Sequence, residues 1–145
     1  MSSLPCKGDE RGLITSTMQL NQVMVYVGNI ETSVHFYQSL GLVPIVQSPE
    51  YVRFVVPGNR ATFSVHLTDK VARSGTVIYF ESDNLDEWVE QLKQKGILPP
   101  NAKPEMQPWL WREVHLTDPD GNLLCLYHAG ENRLNPPWRI KDIVI

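Results

Sequence analysis

The sequence has few cysteines and no long hydrophobic run. Two cysteines occur among its 145 residues, Cys6 in a polar stretch and Cys125 in an apolar one, and no CxxC pair is present. We therefore expect neither a disulfide framework nor a cysteine-rich zinc site. No segment approaches the roughly 20 consecutive apolar residues that a membrane-spanning helix needs, so no membrane partner is expected.

Basic charge is equally sparse. The net charge is −3, and no cluster of Lys and Arg is longer than a pair. Because nucleic-acid binding depends on a basic face that neutralises phosphates, we expect no nucleic-acid partner. The first residues, MSSLPCKGDERGLITS, also lack the apolar core of an export signal. On these grounds we expect a cytoplasmic protein.

The composition that remains is that of a folded domain. Hydrophobic residues make up 42% of the chain and charged residues 20%, which is typical of a globular protein and not of a disordered chain or a coiled coil. A chain of this length buries about two-thirds of the surface that it exposes when unfolded. We therefore expect a single domain with a substantial core.

An internal repeat is the most informative pattern in the sequence. Residues 29–42 read NIETSVHFYQSLGL and residues 84–97 read NLDEWVEQLKQKGI, and they align without a gap at an offset of 55. Each copy predicts an amphipathic helix with acids in its first turn and apolar residues at helical spacing. An asparagine precedes each helix as the N-cap, and a glycine ends it as a left-handed C-cap. These caps are Asn29 and Asn84, and Gly41 and Gly96.

Short strands flank both predicted helices. One strand precedes each helix and three β-rich runs follow it, divided by turn residues such as those of the DPDGN segment at 118–122. The predicted strands are 22–28, 42–47, 51–56 and 61–68 in the first half, and 76–82, 97–103, 109–117 and 122–128 in the second. The fold class is therefore α+β, with two βαβββ units at 20–70 and 74–130 in one domain at 20–130. A tail at 1–19 precedes the domain, and a tail at 131–145 is expected to pack on the sheet or on a partner chain.

Alternation along the strands sorts the side chains onto two faces. One face is uniformly apolar and is expected to pack against the helix of its own unit. The other face, called the mixed face below, carries polar and aromatic residues and is expected to line a ligand cavity. The cavity residues predicted are Gln22, Tyr26, Arg53, His66, Tyr79, Trp109, Trp111 and Cys125.

Two further residues of the mixed face suggest proton transfer. Glu113 and His115 are two positions apart on one predicted strand. At that spacing we expect their side chains not to touch, so an acid–base pair would form only through a shared ligand.

These features resemble the vicinal oxygen chelate superfamily, which includes glyoxalase I, extradiol dioxygenases and bleomycin-resistance proteins. The resemblance rests on the paired units and on the motifs VxVGNIETSVHFYQSLGL and HLTDPDGNLLCLY, and it covers residues 20–128. It implies curled mixed sheets around a cavity. It also implies a homodimer, because short chains of this superfamily pair to complete their cavities.

The resemblance also bears on metal binding. Metal-dependent members place His, Glu or Gln ligands at equivalent positions of the two units, and here those positions fall on Gln22, His66, Val77 and Cys125. Val77 offers no ligand atom, and Cys125 stands where a carboxylate is usual. The implied site is incomplete, with Gln22, His66 and Cys125 as the remaining candidates, so no cofactor is expected unless a divalent metal binds there.

Three functions stay open at this level. The first is a small-molecule-binding protein of the glyoxalase/bleomycin-resistance type, which holds its ligand in the sheet-lined cavity. The second is a metal-dependent lyase or dioxygenase that uses Gln22 and His66. The third is a structural or regulatory domain whose cavity is filled by Trp109, Trp111 and Tyr127. Metal content separates the second from the first, and the cavity separates the third from both.

Overall fold

Both copies of the repeat are helical. They form α1 (Ile30–Leu40) and α2 (Leu85–Gln94). Gly41 follows α1 with a φ of 121°, and Gly96 ends the turn after α2 with a φ of 75°. These positive φ angles are accessible to glycine at little cost, so the predicted helix ends are confirmed.

The two helix beginnings differ from each other. The side chain of Asn29 accepts a hydrogen bond from the backbone N–H of Thr32 at 2.9 Å, as predicted for an N-cap. Asn84 makes no such bond, and its own backbone N–H donates to the Ser82 hydroxyl at 3.0 Å. The prediction of a side-chain cap at Asn84 is therefore wrong.

The structure, a computed structural model of the chain, describes residues 18–141 and the backbone of two short strands that precede them. Those strands, β1 (Lys7–Gly8) and β2 (Ile14–Thr15), pair antiparallel. Cys6 and the end of the predicted C-terminal tail lie outside the described residues. Neither helix of the described part has the length and hydrophobicity that a membrane crossing requires.

Each unit contributes one four-stranded mixed sheet, in the order β3-β6-β5-β4 and β7-β10-β9-β8. In each sheet the first and last strands of the unit pair in parallel, and the other pairs are antiparallel. The predicted α+β fold of two βαβββ units is confirmed. The strands are β3 (Gln22–Val27), β4 (Val43–Gln47), β5 (Tyr51–Val55) and β6 (Thr62–Leu67), then β7 (Val77–Glu81), β8 (Glu105–Met106), β9 (Arg112–Thr117) and β10 (Leu123–His128).

Two predicted strands of the second unit differ from the structure. No strand forms at 97–103, where the carbonyl of Pro99 accepts a hydrogen bond from the N–H of Ala102 in a turn and β8 follows later. The reason is that proline has no N–H to donate to a sheet ladder. The predicted strand at 109–117 begins only at residue 112, because Leu110 adopts a φ of 69° in a turn.

The apolar faces of both sheets pack with the two helices into one core. Val27, Val65 and Leu126 are fully buried and belong to one continuous cluster that spans both units. The indole N–H of Trp88 on α2 also donates to the carbonyl of Leu40 on α1 at 3.1 Å. The two units are therefore parts of one packed body.

The predicted turn at 118–122 links the second unit to the first. Asp118, which is 3% exposed, accepts hydrogen bonds from the Tyr37 hydroxyl of α1 at 2.7 Å and from the backbone N–H of Asn122 at 2.8 Å. Asp120 accepts from the backbone N–H of Gly28 at 2.9 Å. Because buried carboxylates need such partners, the turn holds the two units in a defined arrangement.

Candidate functional site

Each mixed face is open to solvent in part. Tyr26 of the first sheet is 54% exposed, and Tyr79 of the second is 47% exposed. Among the described residues, no strand of one sheet is hydrogen-bonded to a strand of the other. The predicted cavity is therefore not closed by the described part of one chain.

A separate groove lies at the seam between the two units. It has a volume of about 480 Å³. Of the predicted cavity residues it reaches only Tyr79, so the other seven lie outside it. Its lining includes Val23, Thr62, Ile78, Tyr79, Trp88 and Gln91.

The mixed face of the first sheet carries a hydrogen-bonded group around Arg53. Its Nε donates to the Tyr51 hydroxyl at 2.9 Å. Hydrogen bonding to Ser64 and the charge and hydrogen bond of Arg53 together lower the pKa of Tyr51, although burial opposes them. The side-chain amide of Gln22 donates to the Ser64 hydroxyl at 2.6 Å, and its oxygen accepts from Thr62. Tyr51 and Ser64 also belong to this group, although they are not among the eight cavity residues predicted above.

His66 lies at the other end of this face. Its ring contacts Tyr26 and Tyr51 edge-on, with centroids 5.9 Å and 6.1 Å away. Its Nδ1 lies 2.9 Å from the carbonyl of Leu67, which leaves Nε2 for a ligand. His66 is therefore part of a small aromatic group on this face.

The mixed face of the second sheet carries three packed rings, called the aromatic cluster below: Tyr79, Trp111 and Tyr127. Trp111 stacks on Tyr127 with centroids 4.6 Å apart, and Tyr79 stands perpendicular to both rings. The indole N–H of Trp111 donates to the carbonyl of Asn132 at 3.3 Å. Burial, reinforced by the nearby Glu81 charge, raises the pKa of Tyr127 to about 12. The cluster is therefore uncharged at neutral pH. Trp111 is held in place by its stacking on Tyr127 and by its hydrogen bond to Asn132.

Next to the aromatic cluster, Glu113, His115 and Cys125 converge. Glu113 is 3% exposed; its carboxylate accepts from the indole N–H of Trp109 at 2.6 Å and lies 2.8 Å from His115 Nε2. That same Nε2 lies 4.0 Å from Cys125 Sγ. The expectation that Glu113 and His115 do not touch is wrong, because two long side chains on the same face of a strand can span two positions.

Charge and burial at this point suppress ionisation of neighbouring groups. Burial, together with the Glu113 carboxylate, raises the pKa of the Cys125 thiol to about 12. Burial also raises the pKa of Tyr79, with contributions from Cys125 and Glu113. Without a cation beside it, Cys125 therefore stays a protonated thiol at neutral pH and packs as a small apolar residue.

Comparison with known families agrees with this architecture. A family model described as the Glyoxalase/Bleomycin resistance protein/Dioxygenase superfamily matches residues 19–126. The chain belongs to this superfamily. Among curated proteins, it is 27% identical over 126 residues to the uncharacterized protein YraH of Bacillus subtilis (strain 168), covering 76% of this chain and 98% of that protein.

Solved structures of the superfamily share the fold. A bleomycin resistance determinant encoded on the transposon Tn5 superposes with a TM-score of 0.65 at 20% identity. A bleomycin-binding protein complexed with bleomycin superposes with a TM-score of 0.65 at 22% identity. Each comparison covers 77% of this chain and 98% of the other. At such identities the likeness concerns the fold.

Strand register decides which residues occupy the superfamily's metal positions. β7 and β10 pair Tyr79 with Cys125. The two units are related by an offset of 55 residues, so Met24 of the first unit corresponds to Tyr79 of the second. Met24 pairs with Ser64 across β3 and β6. The expected correspondence of His66 with Cys125 is therefore wrong, because Ser64 holds the matching position.

The register also separates two of the predicted metal ligands. His66 pairs with Tyr26 and Gln22 pairs with Thr62. Four residues along a strand correspond to about 13 Å, so the first sheet does not bring Gln22 and His66 together.

The residues at the superfamily's metal positions do not fit a divalent metal. The set is Gln22, Ser64, Val77 and Cys125, which contains no carboxylate or imidazole. The side-chain amide of Gln22 is already hydrogen-bonded to Ser64 and Thr62. No step of the chemistry is therefore assigned to a metal at these positions.

Proposed function

We propose that this protein binds small molecules and holds them against the mixed faces of its sheets. The observation that carries this proposal is the aromatic cluster. Its outer ring, Tyr79, is 47% exposed and stands edge-on to the packed rings of Trp111 and Tyr127, so the cluster offers a fixed apolar surface to a ligand. The bleomycin complex of a structural relative supports the same use of the fold.

The cluster favours a ligand with a planar aromatic part. Trp111 is fixed by its stacking on Tyr127 and by its hydrogen bond to Asn132, so little side-chain entropy is lost when a ring packs beside it. Planar rings stack or meet such surfaces edge-on. The neighbouring Glu113 and His115 add polar groups that orient the ligand.

We propose further that two copies of the chain complete the cleft. The mixed positions of the first sheet carry Arg53 and His66 and no carboxylate, whereas those of the second carry two carboxylates, Glu81 and Glu113, beside His115. Placing the first sheet of one protomer over the second sheet of its partner brings opposite charges together. It also covers aromatic side chains that one chain leaves in water.

A fluorescence titration tests the ligand proposal. Purified protein is titrated with planar aromatic compounds, starting with bleomycin, and quenching of tryptophan emission is followed. We expect Trp111→Leu to weaken binding at least about 5-fold, since truncating a central aromatic residue of a binding site costs more than about 1 kcal/mol of binding free energy. Trp138→Leu, which removes a tryptophan that is 58% exposed outside both mixed faces, serves as the control and is expected to bind normally. Equal affinities for the two variants would overturn the proposal.

The alternative of a lyase or dioxygenase that works through Gln22 and His66 has less support. These residues lie four positions apart along the first sheet, as the pairing of β3 with β6 shows. Their separation of about 13 Å exceeds what one ion can bridge. The alternative of a structural domain with a filled cavity predicts no binding in the titration described above.

A further inference from the structure

Glu113, His115 and Cys125 direct one ligand atom each toward a common point. The three atoms all lie within 4.8 Å of one another. Glu113 Oε1 is 2.8 Å from His115 Nε2, and that nitrogen is 4.0 Å from Cys125 Sγ. Ligand atoms bound to one tetrahedral zinc ion, at bond lengths of roughly 2.0–2.3 Å, lie roughly 3–4 Å apart. An ion therefore needs only small side-chain shifts to enter.

Rigid backbone holds these three positions. His115 on β9 lies directly opposite Cys125 on β10, and Glu113 lies two residues from His115 on the same face of β9. The two strands are the inner strands of their sheet, hydrogen-bonded on both sides. Sites built on such strands keep their geometry better than sites built on loops.

The charge of Glu113 gives a second, independent reason to expect a cation. Its carboxylate is almost fully buried, and burying an anion is costly unless a positive charge compensates it. Among the residues that the structure describes, the ion-pair partner of Glu113 is His115, which carries charge only when protonated. Arg112 and Arg133 form ion pairs with other carboxylates, Arg112 with Asp86 and Arg133 with Glu81.

We propose that Glu113, His115 and Cys125 bind a zinc ion with one open coordination position. A carboxylate oxygen, an imidazole nitrogen and a thiolate sulfur suit a borderline-soft ion such as Zn²⁺ and not Mg²⁺ or Ca²⁺. The ring of His115 is 61% exposed, so the fourth position faces the open side of the mixed face. Glu113 and His115 lie on β9, which holds none of the superfamily's usual metal positions.

Cobalt substitution tests this site in the full-length protein without any organic ligand. Protein freed of metal with a chelator is titrated with Co²⁺. We expect one ion per chain, the intense visible bands of tetrahedral cobalt, and a thiolate-to-cobalt charge-transfer band that Zn²⁺ abolishes. A thiolate ligand must be present for the charge-transfer band to form.

Four variants assign the ligands. We expect Cys125→Ser to remove the charge-transfer band and to weaken metal binding more than about 100-fold, beyond the roughly 10–100-fold cost of a lost outer-shell contact. His115→Ala is expected to weaken binding to a similar degree, and because His115 is exposed its removal leaves the core intact. His35→Ala, at an exposed position of α1, and Cys6→Ser are the matched controls and are expected to bind cobalt normally.

Three results would overturn the zinc site. The first is a wild-type protein that shows no charge-transfer band with cobalt. The second is a band that survives in Cys125→Ser and is lost in Cys6→Ser. The third is a cobalt affinity of His115→Ala equal to that of the wild type. The proposal does not depend on ligand binding, so a protein that binds aromatic compounds but no cobalt refutes the zinc site alone. A protein that binds cobalt but no aromatic compound refutes the proposed function alone.

Discussion

At the scale of single residues, Asp118 shows how one side chain organises distant parts of the chain. Its carboxylate accepts hydrogen bonds from the Tyr37 hydroxyl, from the backbone N–H groups of Asp120 and Asn122, and from the Asn122 side chain. The burial of Tyr37 and the charge of Asp118 raise the pKa of that tyrosine far above its usual range. Tyr37 therefore remains a protonated hydroxyl at neutral pH and donates to this carboxylate.

Replacing this carboxylate tests its importance for stability. We expect Asp118→Ala to lower the free energy of unfolding by about 2–4 kcal/mol, because several charge-assisted hydrogen bonds are lost and the buried Tyr37 hydroxyl is left without its acceptor. Urea denaturation measures the change. Asp69→Ala, at an exposed position, is the control and is expected to change stability by less than about 0.5 kcal/mol. Similar losses in both variants would contradict the assigned role of Asp118.

At the scale of elements, Glu81 at the end of β7 anchors the segment that follows β10. Its carboxylate accepts from the backbone N–H groups of Ala129 and Gly130 at 2.8 Å and 2.9 Å. Burial raises the pKa of Glu81, but these two hydrogen bonds and the charges of His128 and Arg133 outweigh it, so the pKa is lowered. The short helix at Gly130–Arg133 is therefore tied to the second sheet by an ionised carboxylate.

This lowered pKa predicts a pH dependence of stability. A carboxyl whose pKa is lower in the folded state stabilises the fold above its unfolded pKa of about 4.3, and this stabilisation is lost as the pH falls through the folded value. We therefore expect Glu81→Gln to be less stable than the wild type at pH 7 and nearly equal to it well below the folded pKa. Urea unfolding at several pH values measures this difference. Glu50→Gln, at an exposed loop position, is the control, and a Glu81→Gln deficit that does not shrink in acid would contradict the prediction.

At the scale of the whole molecule, the exposed residues of the mixed faces are the basis of the proposed dimer. Both sheets turn their apolar faces to a shared core, and Tyr26 and Tyr79 of the mixed faces are left exposed by the described part of the chain. The opposite charges of the two faces favour a second copy of the chain. The proposed cleft then lies between protomers and has residues of both in its walls.

Introducing a charge on the first mixed face tests this arrangement. We expect the wild type to sediment as a dimer and Tyr26→Asp to sediment largely as a monomer, because a carboxylate there would be desolvated and would face Glu81 and Glu113 of the partner. His35→Asp, on the exposed side of α1, is the control and is expected to remain dimeric. A monomeric wild type would refute the proposed dimer.

The local features of the fold follow from short-range sequence patterns. The ends of α1 and α2 are predictable because Gly41 and Gly96 take backbone conformations that other residues avoid. The two faces of each strand are predictable because side chains alternate with a period of two. Predictions fail where a nearby residue prevents the pattern, as Pro99 does before β8 and as the turn at Leu110 does before β9.

The sequence by itself determined the two βαβββ units and the side chains on each face, since both depend on residues a few positions apart. Only the tertiary structure decided the register between β3 and β6, which puts Ser64 and not His66 at the superfamily's metal position. It also decided that Glu113 and His115 meet Cys125. Strand pairing joins residues far apart in the chain through backbone groups that are the same for every residue type, so a one-residue slip leaves the local pattern almost unchanged but moves the site.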